Sequence, residues 1–146
     1  MCVCGQIALL RNARRTNAAA LKLSDVVTFH SYDSLLLLEK RVAHRRETGR
    51  PLLCTEWMRR GFDSQFGTHQ AYFRQEKVAC LHWGLVNGKT QTHFPWGSSV
   101  DAPEPNLWFH DLLRTSGVPY DAEEVDLIKK TIHAHLNPPL PQTINR

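Results

Sequence analysis

Three short apolar segments recur at nearly even spacing, and this repeat constrains the fold more than any other feature of the chain. They read DVVTF, PLLCT and VACLHW and begin at residues 25, 51 and 78. Continuous apolar runs are typical of strands covered on both faces, and each parallel crossover needs a dozen or more residues, which this spacing provides. The repeat predicts an α/β fold in which parallel strands alternate with helices, with the second strand between the other two.

The segment between the first two runs has a clear helical pattern. Asp33 and Ser34 are both suitable N-cap residues, and the apolar positions of residues 35–47 form one stripe. Gly49 and Pro51 follow, and such residues end helices. We therefore expect a helix over residues 35–47.

Three further helices are predicted in the second half of the chain. One covers residues 66–77. Another covers residues 105–117, because a proline opens it, a glycine closes it, and Trp108 and Leu112 form an i,i+4 pair. The last begins at Asp121, with a glutamate three residues later, as in a capping box.

The repeat divides the chain into three parts. Residues 1–23 do not fit it and are interpreted as an N-terminal segment that is either a remnant helix or a stretch unrelated to the fold. Residues 24–136 contain the βα units, and residues 137–146, rich in proline, are predicted to be a disordered tail. A closed eight-fold barrel needs at least about 200 residues. The 146 residues therefore fit three or four βα units, as a piece of a barrel or as a small open sheet.

Charge and hydropathy argue against nucleic acid and membranes as partners. The net charge is +4, and the one basic cluster lies near the end of the first predicted helix, where it complements the helix dipole as a solvated face. No aromatic residues interleave with it, as a nucleic-acid surface would require. No apolar run approaches the roughly 20 residues of a membrane span, and no secretory signal is evident. We expect a cytoplasmic protein.

The cysteines and histidines do not form a metal-binding pattern. Zinc sites usually pair one C-x2-4-C motif with another, whereas Cys2 and Cys4 form an isolated C-x-C. Cys54 and Cys80 lie in apolar runs and are predicted to be buried thiols in strands. The absence of a glycine-rich phosphate loop argues against a flavodoxin-like domain. The sequence therefore predicts no metal and no cofactor.

Polar and aromatic residues follow each predicted strand at the point where it ends. His30 and Tyr32 follow the first strand, Glu56 and Trp57 the second, and Trp83 the third. In α/β barrels, functional side chains lie where strands end and βα loops begin. A carboxylate can attack an anomeric carbon, His and Tyr can orient it, and an indole ring can stack on a sugar. The pattern predicts a carbohydrate site.

Three strings in this order resemble strands six to eight of clan A glycoside hydrolases. They are VVTFHSYD over residues 26–33, LCTEW over residues 53–57, and HWGLVNGKTQT over residues 82–92. The chain is most similar in appearance to cellulase-like and endo-xylanase-like sequences, over about residues 23–130. The resemblance implies a partial (β/α)8, or TIM, barrel and activity as a retaining hydrolase of β-linked oligo- or polysaccharides.

The resemblance also implies a role for each residue at the strand ends. Glu56 matches the catalytic nucleophile, and His30 and Tyr32 match a His-x-Tyr pair whose tyrosine hydrogen-bonds it. Trp83 matches the tryptophan beneath the cleaved sugar, and Trp96 would be an outer sugar platform. We therefore expect the carboxylate of Glu56 and the hydroxyl of Tyr32 to lie within hydrogen-bond reach.

One element of the family pattern is missing. These enzymes take their acid/base from a Glu, usually preceded by Asn, at the end of strand four, and this chain contains no Asn-Glu dipeptide. Asp33 is a poor substitute, being more natural as a helix cap. The expectation is a hydrolase fragment that is inactive alone and that self-associates or lacks an N-terminal half. The alternative is a non-catalytic carbohydrate-binding or vestigial half-barrel.

Structural roles remain open for each candidate. For Glu56 the alternative to the nucleophile is a helix cap or an ion-pair partner of Arg59 or Arg60. The rim histidine and tyrosine could be a satisfied polar edge, and the third-strand tryptophan a core residue. Core packing and sugar contact are equally compatible with two further residues, Trp57 and Trp96.

Overall fold

Four strands alternate with four helices in the described part of the chain, and residues 81–121, between the last strand and the last helix, are irregular. The computed structural model describes residues 4–6 and 14–136, so the predicted tail lies outside it. The elements are β1 (Cys4–Gln6), α1 (Arg14–Leu23), β2 (Val26–His30), α2 (Leu35–Arg46), β3 (Leu52–Glu56), α3 (Phe66–Gln75), β4 (Ala79–Cys80) and α4 (Ala122–Leu136). The predicted α/β fold is confirmed.

The four strands form one parallel sheet in sequence order, β1-β2-β3-β4. As predicted, β3 lies between β2 and β4. Val27 is aligned with Leu52 and Phe29 with Cys54, and a register shift follows Phe29. Because of this shift His30 is aligned with Glu56, so the last residues of β2 and β3 stand side by side.

Residues 1–23 were expected to be a remnant helix or a stretch unrelated to the fold, and where the structure describes them they belong to the βα repeat, so the first alternative is the one that holds. Residues 4–6 form β1, which pairs with β2 in the register Cys4↔Val26, and residues 14–23 form α1. Together they add a fourth βα unit and cover the β2 edge of the sheet. The strand reads only CGQ, so it has no apolar run that could have revealed it.

All four helices contribute to one hydrophobic core on one face of the sheet. Alternate strand residues face it, namely Val27, Phe29, Leu52 and Cys54, each at most 3% exposed. The helices supply apolar side chains to the same cluster: Leu21 from α1, Leu38 and Val42 from α2, Phe66 and Phe73 from α3, and Ile128 from α4. Burying these side chains contributes roughly 1.5–3 kcal/mol for each large one.

The last strand is shorter than the sequence suggests. A strand was expected over residues 78–83, but β4 is limited to Ala79–Cys80. Leu81 still donates a backbone hydrogen bond of 2.8 Å to Cys54, after which the chain turns at Gly84, where φ is +86°. A Cβ on Gly84 would lie 2.4 Å from the Asp111 carboxylate, so any larger residue would force the loop away.

The predicted helix over residues 105–117 is wrong, because other partners take its backbone groups. In a helix the Leu112 amide would donate to the Trp108 carbonyl. It donates instead to Leu85 at 3.1 Å, and the Trp108 carbonyl accepts from Arg60 at 3.2 Å. The segment is an irregular loop packed against the carboxyl end of β3.

The expected starts of α2 and α4 are confirmed, and α2 ends at Arg46, one residue before the predicted end. The basic cluster on α2 is only partly solvated. The Asp121 carboxylate caps α4 by accepting from the amides of Glu123 and Glu124 at 2.9 and 3.1 Å. On α2, Arg45 is 8% exposed and its guanidinium lies over the Phe29 ring. None of the described helices is both long enough and apolar enough to cross a membrane.

Candidate functional site

The carboxyl ends of β2, β3 and β4 meet at one edge of the sheet. Because the strands are parallel and adjacent, the residues that follow them are close in space even though tens of residues separate them in sequence. His30 and Glu56 are the last residues of β2 and β3, and Tyr32 and Trp83 follow β2 and β4. The predicted site residues are therefore at the same edge.

The Glu56 carboxylate contacts two side chains from the end of β2. Its Oε2 lies 3.2 Å from Nδ1 of His30 and 3.2 Å from the hydroxyl of Tyr32. The side chains of His30 and Glu56 are 30% and 26% exposed, so the carboxylate is held and is still accessible from outside. The expected contact between Tyr32 and Glu56 is confirmed.

The surroundings of Tyr32 keep its hydroxyl protonated. Burial raises the pKa of the phenol above its ordinary value, and the negative charge of Glu56 raises this pKa further. An ionised phenolate would lie next to the negatively charged carboxylate of Glu56, and the two charges would repel each other. Tyr32 is therefore a neutral donor to Glu56.

The two arginines proposed as structural partners of Glu56 are engaged elsewhere. Arg60 forms an ion pair with Glu124 of α4 and also donates to the Trp108 and Asp111 carbonyls. Arg59 lies over aromatic rings instead. Neither arginine therefore forms the salt bridge with Glu56 that the structural alternative required.

Trp96 lies next to the Glu56 contact although 40 residues separate the two in sequence. Its ring packs edge-on against Tyr32, with centroids 4.9 Å apart, and lies 5.6 Å from the ring of His110. Trp96 is 55% exposed and Trp83 is 45% exposed. Both indoles offer surface to a ligand at this edge, and Trp83 is not the core residue that the alternative interpretation required.

Trp57, unlike the exposed Trp83 and Trp96, belongs to the hydrophobic core. It is 2% exposed, and its ring contacts Phe66 and Phe73 of α3 at 4.8 and 5.1 Å between centroids. An indole enclosed in this way has no free face on which a sugar could stack. The assignment of Trp57 to the substrate-binding set is therefore corrected to a packing role.

The loop that follows Glu56 is fixed by a residue that the sequence did not single out. Met58 has a positive φ of 72°, unusual for a residue with a side chain. Its carbonyl accepts a 2.8 Å hydrogen bond from Nδ1 of His110, and its amide donates to the Ser64 hydroxyl at 3.2 Å. His110 is 1% exposed, and burial lowers its pKa, so the ring is neutral. An isolated histidine carries no sequence signal for this role.

The other carboxylates near this edge have partners of their own. Asp33 does not cap α2; it accepts from Ser31 and Arg41, each at 2.8 Å. Asp111 is fully buried and accepts a 2.6 Å hydrogen bond from Thr92.

Nearby, His93 lies between Asp111 and Glu104, at 3.5 and 3.3 Å. Glu104 in turn accepts a 2.8 Å hydrogen bond from the Trp108 indole. This chain of polar groups runs from buried Asp111 to exposed Glu104 and ties together distant parts of the irregular segment 81–121.

Comparisons with protein-family models, curated proteins and solved structures give no match. Within the described residues, no three His, Cys, Asp or Glu side chains come together in a way that could hold a metal ion. The thiols nearest the site are weak acids, because burial raises the pKa of Cys54 to about 12 and that of Cys80 to about 11. The chemically distinctive group at this edge is therefore the Glu56 carboxylate.

Proposed function

We propose that this chain is part of a retaining β-glycoside hydrolase in which Glu56 is the nucleophile. The observation that carries the proposal is the contact of an accessible Glu56 carboxylate with His30 and Tyr32 at the carboxyl end of a parallel sheet. In a retaining reaction the nucleophile attacks the anomeric carbon and forms a covalent glycosyl-enzyme, which water then hydrolyses. Such a carboxylate must be oriented and reachable, and these contacts together with its partial exposure favour both.

Tyr32 and His30 would act on the nucleophile from one side. The neutral phenol donates to Oε2 of Glu56, so it stabilises the ionised carboxylate and limits its rotation. Nδ1 of His30 lies at the same oxygen. The remaining carboxylate oxygen, Oε1, is the one that we assign to attack.

Sugar binding would depend on the two exposed indoles. Trp96 reaches the site through its edge-on contact with Tyr32, and Trp83 follows the neighbouring strand β4. Indole rings bind the apolar faces of pyranose rings and retain a polar edge for hydroxyl groups. Trp96 and Trp83 are therefore assigned to substrate binding.

The arrangement of the helices supports a barrel as the parent architecture. The strands are in sequence order, and all four helices pack into one core on one face of the sheet. A doubly wound sheet would place helices on both faces, whereas a (β/α)8 barrel places all of them outside. We infer that residues 4–6 and 14–136 form four consecutive units of such a barrel.

A second carboxyl group would have to join Glu56 from elsewhere. Retaining enzymes hold the nucleophile and the acid/base about 5–5.5 Å apart. In the part of the chain described, Asp33, Glu104 and Asp111 are engaged in the separate contacts given above. Further barrel strands or a second copy of the chain would supply the acid/base.

The same observation favours a second candidate function, carbohydrate binding without hydrolysis. Exposed indoles and an accessible carboxylate are enough to hold a sugar. The two candidates differ in one respect: only the hydrolase requires Glu56 to form a covalent bond.

Hydrolysis of 2,4-dinitrophenyl β-glucoside, β-xyloside and β-galactoside tests the proposal. General acid help is worth about 10²- to 10⁴-fold, and these leaving groups need it least. We expect slow release of dinitrophenolate from at least one of them by the wild-type chain, and loss of that activity in Glu56→Gln. Glu47→Gln is the control, because Glu47 is a solvent-exposed glutamate beyond the end of α2.

Three outcomes separate the candidates. Release that disappears in Glu56→Gln and persists in Glu47→Gln supports the hydrolase. Binding of the glycosides without release supports the carbohydrate-binding candidate. Equal release by Glu56→Gln and wild type would contradict the nucleophile assignment.

A further inference from the structure

Arg59 places a positive charge beside the proposed sugar site. It lies three residues beyond Glu56, and its guanidinium carbon is 3.1 Å from the ring centroid of Phe62 and 4.3 Å from that of Trp96. The same Trp96 ring packs against Tyr32, which donates to Glu56. Arg59 therefore contacts the aromatic surface that we assign to substrate.

No carboxylate of residues 18–133 forms a salt bridge with this guanidinium. The acidic residue that attracts it electrostatically, Asp33, is bound by Arg41 at 2.8 Å. By contrast, Arg60 in the same loop is paired with Glu124. Nε of Arg59 is buried without a hydrogen-bond partner, while the residue as a whole is half-buried. The cation is thus fixed by aromatic rings and not neutralised by an acid.

We propose that Arg59 binds the carboxylate of an anionic sugar, so that the site selects uronic acid residues over neutral ones. This inference rests on the proposed function, because it assigns a substrate class to the same site. A planar guanidinium and a planar carboxylate form two parallel hydrogen bonds, which makes arginine the preferred side chain for such groups.

The charge of Glu56 explains why an acidic sugar would need this arginine. A uronate that approaches an ionised nucleophile meets like-charge repulsion, which is strong for two unit charges close together near a protein surface. The guanidinium of Arg59, which lies over the Trp96 ring that contacts Tyr32, offsets this repulsion. Neutral sugars do not meet this repulsion and would gain no comparable advantage from Arg59.

The competing explanation is that Arg59 only supports the Trp96 ring. A packing role predicts that loss of Arg59 weakens every ligand that uses Trp96 to the same degree. Recognition of a carboxylate predicts a loss confined to the acidic ligand. The two explanations therefore differ in selectivity and not in affinity alone.

The test is a comparison of dissociation constants for two matched ligands, methyl β-D-glucopyranosiduronate and methyl β-D-glucopyranoside, by ligand-observed NMR. The corresponding galactose pair covers the other common configuration. For the wild-type chain we expect the uronate of one pair to bind about tenfold or more tightly than its neutral partner, as a charge-assisted pair allows. In Arg59→Gln we expect the two affinities to converge at the neutral value.

Arg114→Gln is the matched control, because Arg114 also stacks on aromatic rings, Trp108 and Tyr120, at 5.0 and 5.8 Å. We expect it to keep the preference for the uronate. The inference would be overturned if Arg59→Gln weakened the binding of both ligands equally. It would also be overturned if the wild-type chain bound neither uronate, or bound neither more tightly than its neutral partner.

The binding measurement does not depend on catalysis, so the two proposals fail separately. Hydrolysis that requires Glu56 without any uronate preference would refute the role of Arg59 alone. The opposite result is a uronate preference that requires Arg59 together with a Glu56→Gln variant that releases dinitrophenolate as fast as wild type. This result would refute only the assignment of Glu56 as the nucleophile.

Discussion

The hydroxyl of Tyr32 donates a hydrogen bond of 3.2 Å to the carboxylate of Glu56, and so links the ends of two neighbouring parallel strands. The phenol is partly buried, and its pKa is raised, so it cannot easily ionise and instead remains a donor. His30 reaches the same carboxylate oxygen from the end of β2. Both contacts depend on the register of β2 against β3, which the hydrophobic core fixes.

Removing the hydroxyl in Tyr32→Phe should slow reactions of Glu56 without unfolding the chain. A hydrogen bond to a charged group is worth about 1.5–3 kcal/mol, which corresponds to a loss of about 10- to 100-fold in rate. The ring contacts with Trp96 and His110 would remain. Release of dinitrophenolate measures the rate, and circular dichroism checks the fold.

Tyr72→Phe is the control for this change, since Tyr72 belongs to α3 and packs against the core. Its hydroxyl has no contact with Glu56, and the rate should stay within about twofold of wild type. A Tyr32→Phe chain that reacts as fast as wild type would show that the hydrogen bond does not assist the carboxylate.

Trp57 in the core and Trp96 at the site should respond differently to truncation. Trp57→Ala removes a core ring, which should cost about 3–5 kcal/mol of unfolding free energy. Trp96 is 55% exposed, so Trp96→Ala should cost much less stability while weakening sugar binding. Urea denaturation and ligand-observed NMR measure the two effects. A Trp96→Ala chain with unchanged binding would remove Trp96 from the site.

The parallel sheet could be predicted from sequence because its strands are short apolar runs between helices. Val27, Phe29, Leu52 and Cys54 are buried on one face, and the register that this burial fixes brings His30 beside Glu56. The contact between Tyr32 and Glu56 could be predicted for the same reason, since both follow adjacent strands. Local pattern and tertiary structure agree in these segments.

Other parts of the fold could not be predicted from local sequence patterns, because contacts with residues distant in sequence determine their conformation. Nothing apolar marks β1, whose place depends on pairing with β2. The segment that contains Trp108 and Leu112 has helical spacing, but Arg60 takes the Trp108 carbonyl and Leu85 takes the Leu112 amide. The same long-range packing brings His110 beneath Met58.

Acid should destabilise the chain, because His69 is buried as a neutral ring. His69 is 0% exposed, and burial is the main cause that lowers its pKa. Nε2 lies 2.9 Å from the Asp33 carbonyl, so that nitrogen carries the proton, and Nδ1 accepts from Thr68 at 2.8 Å. Protonation of Nδ1 would break the hydrogen bond that Nδ1 accepts from Thr68.

The sign of the effect follows from proton binding. An unfolded histidine takes up a proton near pH 6.5, whereas the folded one resists it to a lower pH. The free energy of unfolding should therefore fall as pH drops below about 6.5, by at most about 1.4 kcal/mol per pH unit for each such histidine, until the folded pKa is passed. Urea denaturation at pH 7.5, 6.5 and 5.5 measures this dependence.

His69→Gln should flatten this pH dependence, although the variant is less stable overall. His44→Gln is the control, because the His44 side chain is 80% exposed, and it should retain the wild-type slope. Half-buried His82 and buried His110, whose pKa values are also lowered by burial, should leave part of the slope in the His69 variant. Stability that is constant from pH 7.5 to 5.5 in wild type would contradict the neutral burial of these rings.

The most direct test of the central claim is covalent trapping of Glu56. In a 2,4-dinitrophenyl 2-deoxy-2-fluoro-β-glycoside, attack by a carboxylate oxygen on C1 forms a glycosyl ester and expels dinitrophenolate, and the fluorine slows the hydrolysis that would follow. Intact mass spectrometry and peptide mapping locate the label. We predict one sugar per chain, bound to Glu56 and absent from Glu56→Gln. Labelling of another carboxylate, such as Asp33 or Glu104, or labelling that persists in Glu56→Gln, would contradict the account.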